Sequence, residues 1–402
     1  MRQLFQEEFL YNDIYTSIAV FFISIITTIG GVGGGGLLIP TFLLLDKFTL
    51  TESIPLSIIT IMGDTLVRLF YLYPKKHPLH NKRSIIDLTP LLLIVPFDAN
   101  TSFFGVILTE IFPDLIRIGT IILVLGITLW KTFLKACQTL QREDNFLRRQ
   151  ENESELIMIV IDGLANYIPK NVIEEFKSLE GTGDTLVSKN TNSFICFSSI
   201  LILGTFSYFR GDYTFCDLNF YYHIAIQFLF ISLYGYGISS YLIKSYENKK
   251  KNNYVFVKGD IVWNKHSVAK FIAIGTFTGF LSTYMGIGGG MLITPIMFNV
   301  GMLPEVVVAT SSVSTFFSTI ISLVNYSFTG VVLWEHGTFY AIISAAGSLV
   351  GLRGSNIIIK KFKRQSIIIF IVDFILLLSV CLLIVNGIET VEEESEFKAI
   401  CN

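Results

Sequence analysis

Two glycine-rich segments are where this chain could do chemistry: Gly31-Val-Gly-Gly-Gly-Gly-Leu-Leu-Ile-Pro40 and Gly286-Ile-Gly-Gly-Gly-Met-Leu-Ile-Thr-Pro295. They align without a gap at an offset of 255 residues, so Gly31, Gly33, Gly34, Gly35 and Pro40 match Gly286, Gly288, Gly289, Gly290 and Pro295. Among the glycines only Gly36, matched by Met291, has no counterpart. Consecutive glycines let a backbone approach a ligand with no Cβ in the way, and they admit positive φ. A short helix starting after such a turn points unpaired N–H groups and the positive end of its dipole at the turn, which favours an anion. Pro40 and Pro295 then limit helical hydrogen bonding about one turn in. The same offset places Ser57 on Ser312 and Thr60 on Thr315. The competing readings are a helix-packing surface, since glycine is common where helices touch in membranes, and a dinucleotide loop. The second lacks a preceding strand and a following acidic residue, and recurrence in register weighs against the first.

Ionisable residues inside apolar runs are functional candidates by default. Asp64 and Arg68 stand four apart on one helix face, so they either neutralise each other or serve a substrate or proton. Asp98 and Asp373 have no local partner, and either could be a proton-coupling carboxylate. Cys137, Cys196, Cys216, Cys381 and Cys401 are scattered with no C-x-x-C pair; no metal site and no cofactor is expected. An intramembrane aspartyl protease needs G-x-G-D, but Asp64 follows Met62-Gly63 with Ile at 61. H-E-x-x-H and G-x-S-x-G are absent as well, so the chain is not expected to be an enzyme.

The elements that must hold these residues are membrane spans. Of 402 residues 51% are hydrophobic and only 15% charged, against about 25% charged in a soluble domain, and the mean hydropathy is +0.60. Thirty Lys and Arg against 32 Asp and Glu leave no basic excess for nucleic acid. Eight apolar runs reach the length of a bilayer crossing: 53–73, 85–108, 115–134, 193–209, 220–243, 306–326, 338–359 and 366–386. Two more, 14–45 and 269–300, are cut by the glycine clusters. Lys75, Lys76, Lys82 and Arg83, the seven lysines of 244–270, and Lys360, Lys361, Lys363 and Arg364 mark three cytoplasmic loops. Because two ordinary spans separate the last two of these loops, 269–300 must cross zero times or twice, and it is too short for two crossings. It is expected to be re-entrant, as is 14–45 from the opposite side.

The fold expected is therefore all-α and integral to the membrane: two inverted repeats, each a glycine-broken re-entrant helix plus three transmembrane helices, with an extra helix pair between them. A first repeat occupies 1–136, a partly ordered cytoplasmic loop 137–192, the extra pair 193–243, a basic cytoplasmic linker 244–267, the second repeat 268–388 and an acidic tail 389–402. Small residues four apart, Thr101 with Gly105 and Gly347 with Gly351, suit close helix packing in each half.

A G-x-G-G-G-x-x-x-x-P type motif occurring twice, in halves of about 120 residues, resembles the TauE/SafE family of sulfite exporters and related anion permeases. The resemblance covers 15–136 and 268–388. It implies that the paired glycine motifs form the transport site, with Gly31, Gly33, Gly34, Gly35, Gly36 and Pro40 facing Gly286, Gly288, Gly289, Gly290 and Pro295. Ser57 in Pro-Leu-Ser, and Thr310, Ser311 and Ser312, fit the polar start of the span after each motif. The expected function is a multi-pass transporter of a small anion, sulfite, an organosulfonate or a related sulfur oxyanion, by alternating access between the repeats. Its partners would be that anion and the lipid bilayer. The alternatives are a membrane receptor or assembly protein working through 137–192, and an anion channel.

Overall fold

The computed structural model describes residues 10–78, 80–164, 186–211, 218–252, 254, 256, 259–362 and 366–390. Twelve helices fill them: α1 Leu10–Gly30, α2 Gly35–Leu44, α3 Leu50–Leu72, α4 Leu88–Ile111, α5 Asp114–Leu164, α6 Leu186–Gly211, α7 Leu218–Lys251, α8 Lys265–Met285, α9 Gly290–Val300, α10 Pro304–Ser327, α11 Trp334–Phe362 and α12 Ser366–Thr390. Local chemistry sets several of their starts. Thr49 and Glu52 form a reciprocal capping box on α3. The carboxylate of Asp87 accepts from the Thr89 N–H at the head of α4, and the side chain of Asn264 accepts from the Ser267 N–H at the head of α8. Pro74 stops α3, and the residues after it form a small antiparallel hairpin, β1 Lys76–His77 with β2 His80–Ser84, a minor departure from an all-α chain.

Among the described residues eight helices are long and apolar enough to cross a membrane. They include residues 11–30 of α1 and the whole of α8, which the expectation reads as limbs of glycine-cut segments, while the expected spans 193–209 and 338–359 lie in α6 and α11, helices of 26 and 29 residues whose side chains are described only in part. The structure corrects the expectation at α5. This element does not end near residue 136 but runs on as helix to Leu164. No Gly or Pro lies between Gly126 and Gly163 to stop it. Charge marked the end of the apolar run, not the end of the helix. The extension is used: Glu143 accepts from the N–H (3.2 Å) and the hydroxyl (2.6 Å) of Ser366, capping α12. Residues 165–185 of the expected cytoplasmic loop and most of the acidic tail lie outside the described residues.

Packing follows a pattern of exchange. Helix α1 lies on α11 while α8 lies on α4; α3 lies on α11 while α10 lies on α4; α2 touches α12 while α9 touches α5; and α3 meets α10 as α5 meets α12. The crossings of α1 with α11 and α8 with α4 are close because the small residues singled out above stand at them. A methyl at Gly347 would strike the Phe21 carbonyl oxygen, one at Gly351 the Ile25 carbonyl oxygen, and one at Gly105 the Phe280 carbonyl oxygen. These contacts are backbone to backbone, so any side chain there would force the helices apart.

Candidate functional site

Both glycine segments interrupt helices deep in the protein. Residues 31–40 and 282–295 are all buried. In the first break Gly31 and Gly34 have φ of 71° and 70°; in the second, Gly286 and Gly288 have 65° and 69°. The left-handed region is costly for residues with a Cβ, so the turns need glycine at these positions. Short helices α2 and α9 leave the turns, each buried along nearly its whole length. Pro40 removes the helical bond to the Gly36 carbonyl, and Pro295 that to the Met291 carbonyl.

The two breaks touch. A Cβ on Gly35 would collide with the backbone of Gly286 and Ile287, and one on Gly290 would collide with the Thr315 hydroxyl and lie 3.1 Å from the Gly33 nitrogen. The mismatched pair meets too: the Gly36 N–H points at the Met291 sulfur, 3.4 Å away, and the Met291 methyl fills the space a side chain at 36 would need. Hydroxyls from each half clamp the break of the other. Ser57 donates to the Gly286 carbonyl at 2.7 Å, while Ser311 and Thr294 donate to the Gly31 carbonyl at 3.0 and 3.2 Å.

Against these clamps, one set of donors is left over. Among the described residues the N–H groups of Gly33, Gly34 and Gly35, and of Gly288, Gly289 and Gly290, have no acceptor. A buried N–H without a partner costs about 1–3 kcal/mol, so the site is chemically a cradle for an acceptor, and the helix dipoles of α2 and α9 favour a negative one.

The remaining sequence candidates take varied places. Thr310 accepts from the Asp87 N–H at 3.0 Å, and Ser312 donates to the Val308 carbonyl of its own helix at 2.7 Å, so Ser311 rather than Ser312 reaches the opposite turn. Asp64 and Arg68 are a buried ion pair. Arg68 also donates to the Val32 carbonyl at 3.0 Å, inside the first break, and Thr28 donates to Asp64 at 2.9 Å. The pair thus braces the first turn. Asp98 is buried on α4, with the Thr278 and Ser318 hydroxyls facing it and its Oδ1 without a hydrogen bond among the described residues. Asp373, half-buried on α12, likewise has an Oδ1 with no bonded donor there. It is not brought into the cradle by any contact observed.

Sequence reading missed Thr28, Thr294, Ser348 and Arg117. Thr28 precedes the first break by one turn, and Ser348 adjoins Gly347 in the small-residue stripe, so position alone could have flagged both. Arg117 is fully buried beside Asp114 and Thr51, and its place at the edge of an apolar run gave no signal.

Known proteins resemble this chain over most of its length. Residues 191–381 match the family model described as Sulfite exporter TauE/SafE. Sulfite exporter TauE/SafE family protein 2 of Arabidopsis thaliana is 24% identical over 396 residues, covering 94% of this chain and 84% of its own length. Family protein 3 of the same plant is 25% identical over 412 residues, 98% of this chain and 84% of its own. The probable membrane transporter protein YunE of Bacillus subtilis (strain 168) is 35% identical over 118 residues, 29% of this chain and 41% of its own. No solved structure matches. The family match takes in α6 and α7, which the motif-based resemblance had left outside. With its apolar helices, the chain is a multi-pass integral membrane protein related to membrane transporters.

Proposed function

Taking as premise a chain that resembles the TauE/SafE family over most of its length, we propose that it carries a small anion, a sulfur oxyanion such as sulfite or an organosulfonate, across the membrane through the two glycine breaks. The observation that carries this reading is the set of buried, acceptor-less N–H groups at Gly33–Gly35 and Gly288–Gly290. A compact oxyanion has acceptors on every side and suits donors converging from two turns. Gly31 and Gly286 hold the turns, Pro40 and Pro295 weaken the half-helices behind them, and Ser57 and Ser311 hold each turn against the other half. Ser312 and Thr310 serve their own neighbourhoods.

The repeats 1–136 and 268–388, with the pair 193–243 between them, are read as inverted copies. The exchanged packing of α1 on α11 and α8 on α4 is what a twofold relation within the membrane plane would produce. Contact between the equivalent positions Gly36 and Met291 fits an axis passing there. Lengths support the re-entrant reading. Helix α8 is long enough to cross over its whole length, but exposed Lys265, His266 and Lys270 occupy its head, and the uncharged part that remains, 271–285, is about 22 Å long at 1.5 Å per residue. Helix α9, with 11 residues, returns only partway. Alternating access then follows from one repeat rocking on the other about the shared turns.

Gly34→Val and Gly289→Val test the site in vesicles loaded with labelled sulfite. Gly34 sits at φ 70°, so valine there is strained; Gly289 has φ −53°, so valine there only intrudes on Ser318 and Ile293. Both variants are expected to reach the membrane and to lose transport, and normal flux in both would refute the assignment.

A further inference from the structure

Asp98 is a carboxyl group that the anion cradle does not use, and its surroundings are unusual. Its residue is 1% exposed, in the middle of α4 where α8 crosses so closely that a methyl on Gly279 would strike the Asp98 backbone. No cationic side chain among the described residues faces it; the groups that do are the hydroxyls of Thr278 and Ser318. The Thr278 hydroxyl also lies 2.8 Å from the Ile274 carbonyl, which competes with Asp98 for its one hydrogen. Several titratable side chains on the other helices packed against α4 have other neighbours, and Lys265, His266 and Lys270 are exposed at the head of α8. Tyr284 on α8 stacks on Phe280, Tyr326 on α10 donates to the Thr283 carbonyl, Tyr234 on α7 donates to the Leu92 carbonyl, and Cys196 on α6 lines an apolar groove.

The second hydroxyl gives Asp98 a route to the cradle. Ser318 lies against Gly289, its Oγ 3.2 Å from where a Cβ on that glycine would be. One serine therefore faces both the carboxyl and a turn with unpaired N–H groups. On the reading that the chain transports an anion, we propose that Asp98 is the proton-binding group that couples this transport to a proton gradient. The carboxylate takes one proton from water on one side, crosses the rearrangement as a neutral acid, and releases that proton on the other side; no other bond is made or broken. An isolated charge buried in an apolar interior is costly, so the loaded and empty forms of Asp98 differ in how tightly α8 and α10 can close on it. Ser318 transmits that difference to the second turn.

Two measurements decide it, and the first does not depend on knowing the anion. Infrared difference spectra of the full chain in bilayers should show a protonated-carboxyl band near neutral pH that disappears in Asp98→Asn. Its absence from the wild type overturns the proposal. In proteoliposomes, methanesulfonate keeps one charge across the working pH range, and a one-unit pH step should drive about tenfold accumulation for one proton per anion. Asp98→Asn should still exchange labelled methanesulfonate at equal pH but accumulate none under the step, and Thr278→Val should reduce accumulation in the same direction. Accumulation that persists in Asp98→Asn, or that follows a sodium gradient instead, overturns the proposal. If the wild type exchanges neither methanesulfonate nor sulfite, the transporter reading fails, and the infrared result still decides whether Asp98 binds a proton.

Discussion

A single methyl at Gly35 is the sharpest probe of the touching glycine turns. Built on the present backbone, the Cβ of Gly35→Ala would lie 2.6 Å from the Gly286 carbonyl oxygen, where ordinary contact begins at 3.4 Å. Its neighbours are backbone atoms that cannot rotate aside, so the turns must part by roughly 1 Å, an overpacking cost of about 1–3 kcal/mol. Alanine recovers at most about 1 kcal/mol through helix propensity. The expected net effect is a loss of about 1–2 kcal/mol, read as a lower melting temperature in detergent. Ligand binding should suffer more. Moving one set of N–H donors away from the other weakens charge-assisted hydrogen bonds worth about 1.5–3 kcal/mol each, so sulfite affinity should drop about tenfold to a hundredfold. Gly119→Ala on α5 is the control, because a methyl there meets nothing within 4 Å. If Gly35→Ala keeps both the stability and the sulfite affinity of that control, the turns do not hold an anion between them.

Two further outcomes follow from the same geometry. Arg68→Gln leaves Asp64 buried without its cation and frees the Val32 carbonyl, so it should cost about 3–5 kcal/mol; Asp64→Asn added to it should recover much of the loss, measured as a double-mutant cycle on thermal inactivation. Gly36→Met alone places two long side chains in one space and should abolish stable expression, whereas the exchange Gly36→Met with Met291→Gly should restore it; failure of the exchange would argue against equivalent positions meeting at those residues.

Much of the fold was legible because bilayer physics writes it plainly. Apolar run length found most of the helices, and the register of two glycine motifs found both helix breaks. What was not legible has physical causes. The reach of α5 to Leu164 depends on the absence of Gly and Pro through a charged stretch, a signal that hydropathy ignores. Helices α1 and α8 are the first limbs of the glycine-cut runs 14–45 and 269–300, and only their polar first turns fall outside those runs. At the site, the glycines and prolines stand where their spacing implied, but the hydroxyls do not divide as their alignment suggested. Ser57 reaches across to Gly286, whereas its aligned partner Ser312 bonds its own helix and Ser311 does the reaching. A one-residue shift rotates a helical side chain by about 100°, and no linear alignment records which of two adjacent serines faces the neighbour.

The crossed hydroxyl clamps set a timetable for biogenesis. The donors to the Gly31 carbonyl lie 263 and 280 residues downstream, which at ribosomal speed is a delay of roughly ten seconds to a minute. Throughout that interval the first turn sits in the translocon or lipid with its carbonyl unanswered, and Ser57 has no Gly286 to bind. The early half cannot reach its mature shape alone. A chain truncated before residue 294 should be a substrate for membrane quality control rather than a half-sized transporter.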